Sequence, residues 1–260
     1  MRKGYVDTND GQLHYWTTGT GPALVCLHQA GQDSSVYRLF IPHLAAHHTL
    51  VMFDLPGHGE SYDPPREYDV PDYVAAVSEA MERLSLSRCA VLGHHSGAVF
   101  ALELAVSQPQ RISRAILSGM SWRSAENTRA LTRTRAKQHL PVTADGEFLT
   151  TVWNTYAGLG GDDVPLEAML EPYLVSQSMR LRPYDAHHAV LAWNREPAAR
   201  AIACPVLLLQ GTRDMYVTGQ DHLLKIMPTA RRVEIPGAGA FSFIDRPAET
   251  AKIIQDFLAE

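Results

Sequence analysis

Residues 4 to 18 alternate apolar and polar positions around Asn9-Asp10-Gly11. An Asp-Gly turn between two extended runs predicts a β-hairpin. Beyond the turn at Gly19-Thr20-Gly21-Pro22 the pattern changes. Ala23 to Leu27, Thr49 to Phe53, Cys89 to Leu92 and Ile112 to Leu117 are short runs dominated by apolar residues. That is the signature of strands covered on both faces, as in a parallel sheet. The segments between them read as helices. Ser34 to Leu44 is the first, with Ser34 or Ser35 as its expected cap. Val70 to Leu86 places Tyr73, Val77, Met81 and Leu84 on one face, and Ala98 to Val106 is amphipathic and free of Gly and Pro. Strand and helix alternating at short intervals demand parallel strands joined by right-handed crossovers.

From about Met120 to Arg200 this rhythm breaks. The segment is rich in charge, contains Trp122, Trp153 and Trp193, and has no strand-like run. Strands resume at Pro205 to Leu209 and Arg232 to Ile235, and Pro247 to Leu258 reads as a closing helix. The expected organisation is an α/β core built from residues 1–120 and 200–260, with a mostly helical cap inserted at 121–199.

Composition narrows the function classes. The 260 residues are 45% hydrophobic and 20% charged, ordinary for a globular protein, and the net charge is −5. A phosphate backbone finds no basic surface here, so nucleic acid is excluded as an expected partner. The cluster of cations from Arg123 to Lys137 reads as a solvated helix face. Cys26, Cys89 and Cys204 lie in or beside apolar runs and lack the paired spacing of metal ligands. They read as reduced core thiols in a cytoplasmic protein. No apolar run is long enough to span a bilayer, and the N-terminus lacks the apolar stretch of a signal peptide. The expected partner is a small molecule, without metal or cofactor; the oligomeric state stays open.

The chemistry-bearing stretch is Val91-Leu92-Gly93-His94-His95-Ser96-Gly97-Ala98. A strand, a turn bracketed by glycines and a helix form the context of a nucleophile elbow, Gly-x-Ser-x-Gly. The frame here is Gly93 to Gly97, and its central residue is His95, not serine. Four other stretches complete a pattern: Leu27-His28-Gln29-Ala30-Gly31, Asp54-Leu55-Pro56-Gly57-His58-Gly59-Glu60-Ser61, Gly211-Thr212-Arg213-Asp214 and Pro236-Gly237-Ala238-Gly239-Ala240-Phe241.

On these five motifs the chain resembles the α/β-hydrolase fold superfamily over nearly its whole length. The resemblance implies a mostly parallel central sheet flanked by helices, with the oxyanion loop at His28, the triad acid at Asp214 and the triad histidine at position 240. Two departures matter. His95 replaces the nucleophile, and Ala240 replaces the histidine. A Ser-His-Asp mechanism cannot be assembled at the usual positions.

Volumes suggest an exchange. Losing an imidazole at 240 opens space beside Asp214, and His95 brings a ring to the elbow. The expectation is that His95 bonds to Asp214 through one ring nitrogen and presents the other as a general base. The backbone N–H groups of Gln29 and Ser96 would form the oxyanion hole. Such a site serves cofactor-free hydrolysis, proton abstraction, or C–C or C–O cleavage on a small apolar carbonyl compound. Direct attack by His95 would give a labile acyl-imidazole and ranks below these. The alternatives are a binding protein with weak or no turnover, as among receptor members of the family, or an inactivated serine esterase. The Ser96 side chain should point into helix and sheet, and His94 should be structural. His28 should order its loop, while Asp54 and His58 brace a turn. Met120, Trp122, Trp153, Trp193, His28, Ala240 and Phe241 are the candidate substrate-contacting residues.

Overall fold

The computed structural model describes residues 1–122 and 142–260. The cationic stretch Arg123 to Lys137 lies outside the described residues. Eight strands form one sheet: β1 (Arg2–Asp7), β2 (Gln12–Thr18), β3 (Ala23–Leu27), β4 (Thr49–Phe53), β5 (Cys89–His94), β6 (Ile112–Ser118), β7 (Val206–Gly211) and β8 (Ala230–Ile235). Their spatial order is β1-β2-β4-β3-β5-β6-β7-β8. The N-terminal hairpin is antiparallel, as is the β2–β4 pair, and every other pairing is parallel. β3, β5 and β6, whose ends carry the motifs, are therefore central and neighbouring.

The apolar runs explain the layers. Alternate residues of each central strand face opposite sides, so Val25, Val91 and Leu117 join one buried cluster while Cys26, Leu92 and Ile116 join the other. On the first face lie α2 (Val70–Arg83) and α3 (Ser96–Ser107). Tyr73, Val77 and Met81 of α2 are fully buried there, and Leu84 is partly so. α1 (Ile41–Leu44) and the C-terminal helix cover the second face.

The first predicted helix is divided. Residues Ser34–Tyr37 make a 3-10 turn, followed by α1, and the cap is Asp33 and not a serine: its side chain accepts the Ser35 N–H. The backbone N–H and hydroxyl of Ser34 instead donate to Asp54, at 2.9 and 2.5 Å, so that serine is committed to a different loop. Between β6 and β7 the described residues carry α4 (Glu147–Ala157), a 3-10 turn (Leu166–Met169), α5 (Leu170–Met179), α6 (Ala186–Ala192) and α7 (Glu196–Ala201), with no strand. After β7 come α8 (Gln220–Ile226), then α9 (Ser242–Asp245) and α10 (Pro247–Ala259) beyond β8. No helix among the described residues is long and apolar enough to cross a membrane.

Candidate active site

β5 ends at His94, and the chain reverses at once into α3. The reversal is carried by His95, whose φ of 49° and ψ of −110° place a non-glycine residue in a conformation that costs on the order of 1–3 kcal/mol. Two backbone hydrogen bonds hold it. His95 N–H donates to Ser118 O at 2.8 Å, and Ala98 N–H donates to His95 O at 3.0 Å. The flanking glycines are needed for close approach. A Cβ at Gly93 would stand 2.1 Å from the Gly97 carbonyl oxygen, and one at Gly97 would stand 2.1 Å from the Leu27 carbonyl oxygen. The elbow therefore packs backbone to backbone against its own helix and against the end of β3.

This turn presents the His95 ring to the end of β7. Its Nε2–H donates to Asp214 Oδ2 at 2.8 Å, with side chains 15% and 2% exposed. The other carboxylate oxygen, Oδ1, accepts the Tyr216 N–H at 3.0 Å. A carboxylate has no proton to give, so the bond to Asp214 fixes His95 as the Nε2–H tautomer when neutral. Nδ1 then carries the lone pair and makes no hydrogen bond among the described residues. In a Ser-His-Asp triad the acid holds Nδ1 and Nε2 is the base. Here Nε2 meets the acid, because the imidazole is attached at the elbow and approaches the acid tip first.

The neighbouring His94 behaves differently. It is buried beside the His95 ring, and burial holds it well below the ordinary histidine range, with His95 adding to the effect. Its Nε2–H donates to the Ala240 carbonyl at 2.9 Å, so Nδ1 accepts from the Ser118 hydroxyl at 3.1 Å. Both nitrogens are occupied. His94 ties the loop at 240 to the end of β6.

The oxyanion loop is fastened to the elbow by a bond that the motif does not reveal. The Ser96 hydroxyl, expected to face helix and sheet, accepts the Ala30 N–H at 2.6 Å. The amides of Gln29 and Ser96 make no backbone hydrogen bond among the described residues. His28, lowered by burial, accepts the Leu55 N–H at Nε2 (2.9 Å) and donates from Nδ1 to the Gln29 carbonyl (2.8 Å). It thereby links two loops. Asp54 is a brace as well. It accepts from His14 Nδ1 (2.8 Å), from the Ser34 N–H and hydroxyl, and from the Glu60 N–H. His58, pushed down to about 3 by burial, donates to Pro56 O.

The candidate substrate-contacting residues pack with both core clusters. Met120, fully buried, Trp122 and Trp193 pack with the cluster on the α2–α3 face. Trp122 stacks on His222, with ring centroids 4.2 Å apart. Trp153, Ala240 and Phe241 belong to the cluster on the other face, where Trp153 meets Tyr173 edge-on and Phe241 lies beside Tyr156.

Two residues near the dyad carry no sequence motif. Gly119 lies against the His95 ring, and Asp245 accepts the Gly239 N–H at 2.7 Å through Oδ2. Burial pushes the Asp245 carboxyl up to about 6, against the pull of the Gly239 N–H, with the charge of Asp214 adding to the rise. Among the described residues no group of three or more His, Cys, Asp or Glu could hold a metal ion.

Comparison with known proteins agrees with this architecture. A pimeloyl-[acyl-carrier protein] methyl ester esterase of Xanthomonas campestris is 26% identical, over 95% of this chain and 99% of its own. The (E)-2-((N-methylformamido)methylene)succinate hydrolase of Acinetobacter baylyi is 24% identical, over 82% of this chain and 80% of its own. Among solved structures, the enol-lactonase of Burkholderia xenovorans superimposes with a TM-score of 0.78 at 24% identity, covering 99% of this chain and 100% of that one. A family model for the alpha/beta hydrolase fold matches residues 22–247, from the turn before β3 to the start of α10. The chain belongs to the alpha/beta hydrolase fold family.

Proposed function

We propose that this protein is a hydrolase without a covalent intermediate, in which His95 activates water directly and Asp214 fixes its tautomer. The observation that carries this reading is the 2.8 Å bond from His95 Nε2 to Asp214, which leaves Nδ1 unspent on the elbow. Water gives a proton to Nδ1 as its oxygen attacks the substrate carbonyl. The resulting oxyanion is received by the Gln29 and Ser96 amides. Collapse of the tetrahedral intermediate breaks the bond to the leaving group, which takes the proton back from Nδ1. Every proton is accounted for, and no hydroxyl nucleophile, metal or cofactor is required.

The substrate class follows from chemistry and kinship together. Hydrolases acting on an ester, on an enol-lactone and on a methylenesuccinate derivative are among the proteins this chain is similar to. A small, largely apolar ester or lactone is the expected class; the same base could instead remove a proton beside a carbonyl. The helices α4 to α7 act as a cap over the strand ends, with Gln32 of the oxyanion loop reaching Tyr156 and the Pro172 carbonyl. The missing serine and the fully braced loop at Ala240 favour a second reading, a binding protein of the same fold.

The test is a panel of activated esters and lactones assayed with the wild-type protein, His95→Ala and Asp214→Asn. A rate that falls in both variants, with no labelling by a serine-directed fluorophosphonate, is the expected result. Labelling at Ser96, or equal rates in all three proteins, would sink the general-base reading.

A further inference from the structure

The His95 ring lies against the backbone at the end of β6. β6 ends at Ser118, and the next residue, Gly119, adopts φ +63° directly beneath the imidazole. A Cβ at Gly119 would stand 2.2 Å from His95 Cδ2, 2.6 Å from His95 Nε2 and 3.2 Å from Asp214 Oδ2. It would lie against the hydrogen bond that joins the pair. The backbone at Gly119 is held from two directions. Gly119 N–H is tied to Leu209 O at 2.7 Å, and the preceding carbonyl, Ser118 O, holds the His95 amide at 2.8 Å. The ring itself is flanked by His94, with centroids 4.3 Å apart, and by Tyr216, edge-on at 5.8 Å.

The geometry points to Gly119 as the positioning residue of the His95–Asp214 pair: the side chain it lacks is the space in which the imidazole lies, and so sets which ring nitrogen meets the acid. An elbow histidine in this chain therefore depends on a residue without a side chain at the end of β6. The inference rests on the reading of the dyad given above and deepens it. Its test needs no substrate, so it can fail while the general-base reading stands, and the converse holds too.

Three variants carry the test: Gly119→Ala, His95→Ala and the two combined. Thermal unfolding reads the collision. Alanine at 119 in the wild-type background is expected to lower Tm by about 5–10 °C, since overpacking and a left-handed backbone both oppose it. With His95 already truncated, the loss falls to about 2–4 °C, because only the backbone term remains. Imidazole 15N spectra read the positioning. The His95 resonances, assigned by their loss in His95→Ala, should report the Nε2–H tautomer in the wild type and lose it in Gly119→Ala. Should Gly119→Ala fail to fold while the double variant folds, the proposal is equally supported. Equal Tm losses in both backgrounds, an unchanged tautomer, or a double variant that also fails to fold would overturn it.

Discussion

Two histidine–aspartate pairs stand at the same separation in this molecule. His14–Asp54 and His95–Asp214 are each 2.8 Å apart. Their surroundings are opposed. His14 sits within β2, whose backbone is paired on both sides, and the side chains of His14 and Asp54 are 4% and 3% exposed. Both Asp54 oxygens serve several donors, which outweigh the cost of burial and hold that carboxyl well below its ordinary range. His95 sits on a left-handed elbow, and Asp214 serves one imidazole and one amide. Asp54 gathers donors from β2 and two loops, whereas Asp214 serves only the elbow imidazole and one amide among the described residues. A histidine–aspartate pair braces the fold in proportion to the further donors its carboxylate gathers.

Breaking each pair should therefore be felt in a different measurement. His95→Ala should reduce turnover of a responsive ester or lactone by about 10²–10⁴-fold, the usual contribution of a positioned base. It also leaves Asp214, 2% exposed, without its imidazole partner, so a Tm loss of a few degrees accompanies it. Asp54→Ala should act on stability first. Removing one partner of a buried, multiply bonded pair costs about 3–5 kcal/mol, which calorimetry would detect as a Tm loss of roughly 10 °C. An Asp54→Ala protein as stable as the wild type would remove the contrast.

Asp245 sharpens the comparison as a buried carboxylate without an imidazole. Its folded pKa, about 6, lies above the unfolded value of 3.8, so the folded state holds the extra proton between those limits. Stability from this group is present below about pH 4 and is lost as pH rises through 6, a cost on the order of 1–3 kcal/mol at neutral pH. Asp245→Asn keeps an acceptor for the Gly239 N–H and removes the titration. It should raise stability at pH 7 relative to pH 4, measured by denaturant unfolding at both values. His58 titrates in the opposite sense. Its folded pKa of about 3 favours the unfolded state as pH falls below 6.5, so the wild-type profile is the sum of opposing slopes.

The smallest effect concerns the bond that ties the oxyanion loop to the elbow. Ser96→Ala leaves the buried Ala30 amide without its acceptor, which costs about 1–2 kcal/mol. A Tm loss of a few degrees, with reduced turnover wherever the Gln29 amide must stay in place, is the expected result. Unchanged hydrogen-exchange protection at Ala30 would show that the bond does not hold that loop.

The sequence by itself determined the frame. Apolar runs of four to six residues specified the central parallel strands, because a strand buried on both faces has no polar alternation to keep. The glycines at 93 and 97 specified the elbow, because no Cβ fits between its backbones. Histidine at 95 with alanine at 240 suggested, among other readings, an imidazole supplied from the elbow toward Asp214. What the tertiary structure alone decided lies in contacts between segments distant in the chain. These include the meeting of Nε2 with the acid, the space at Gly119, the commitment of Ser34 to Asp54 and of Ser96 to Ala30, and the packing of the tryptophans against two different core clusters. A local pattern encodes which residues turn, extend or coil. It cannot encode which nitrogen of a ring arrives first at a carboxylate more than a hundred residues away, since that depends on the meeting of three strand ends and a missing methyl group.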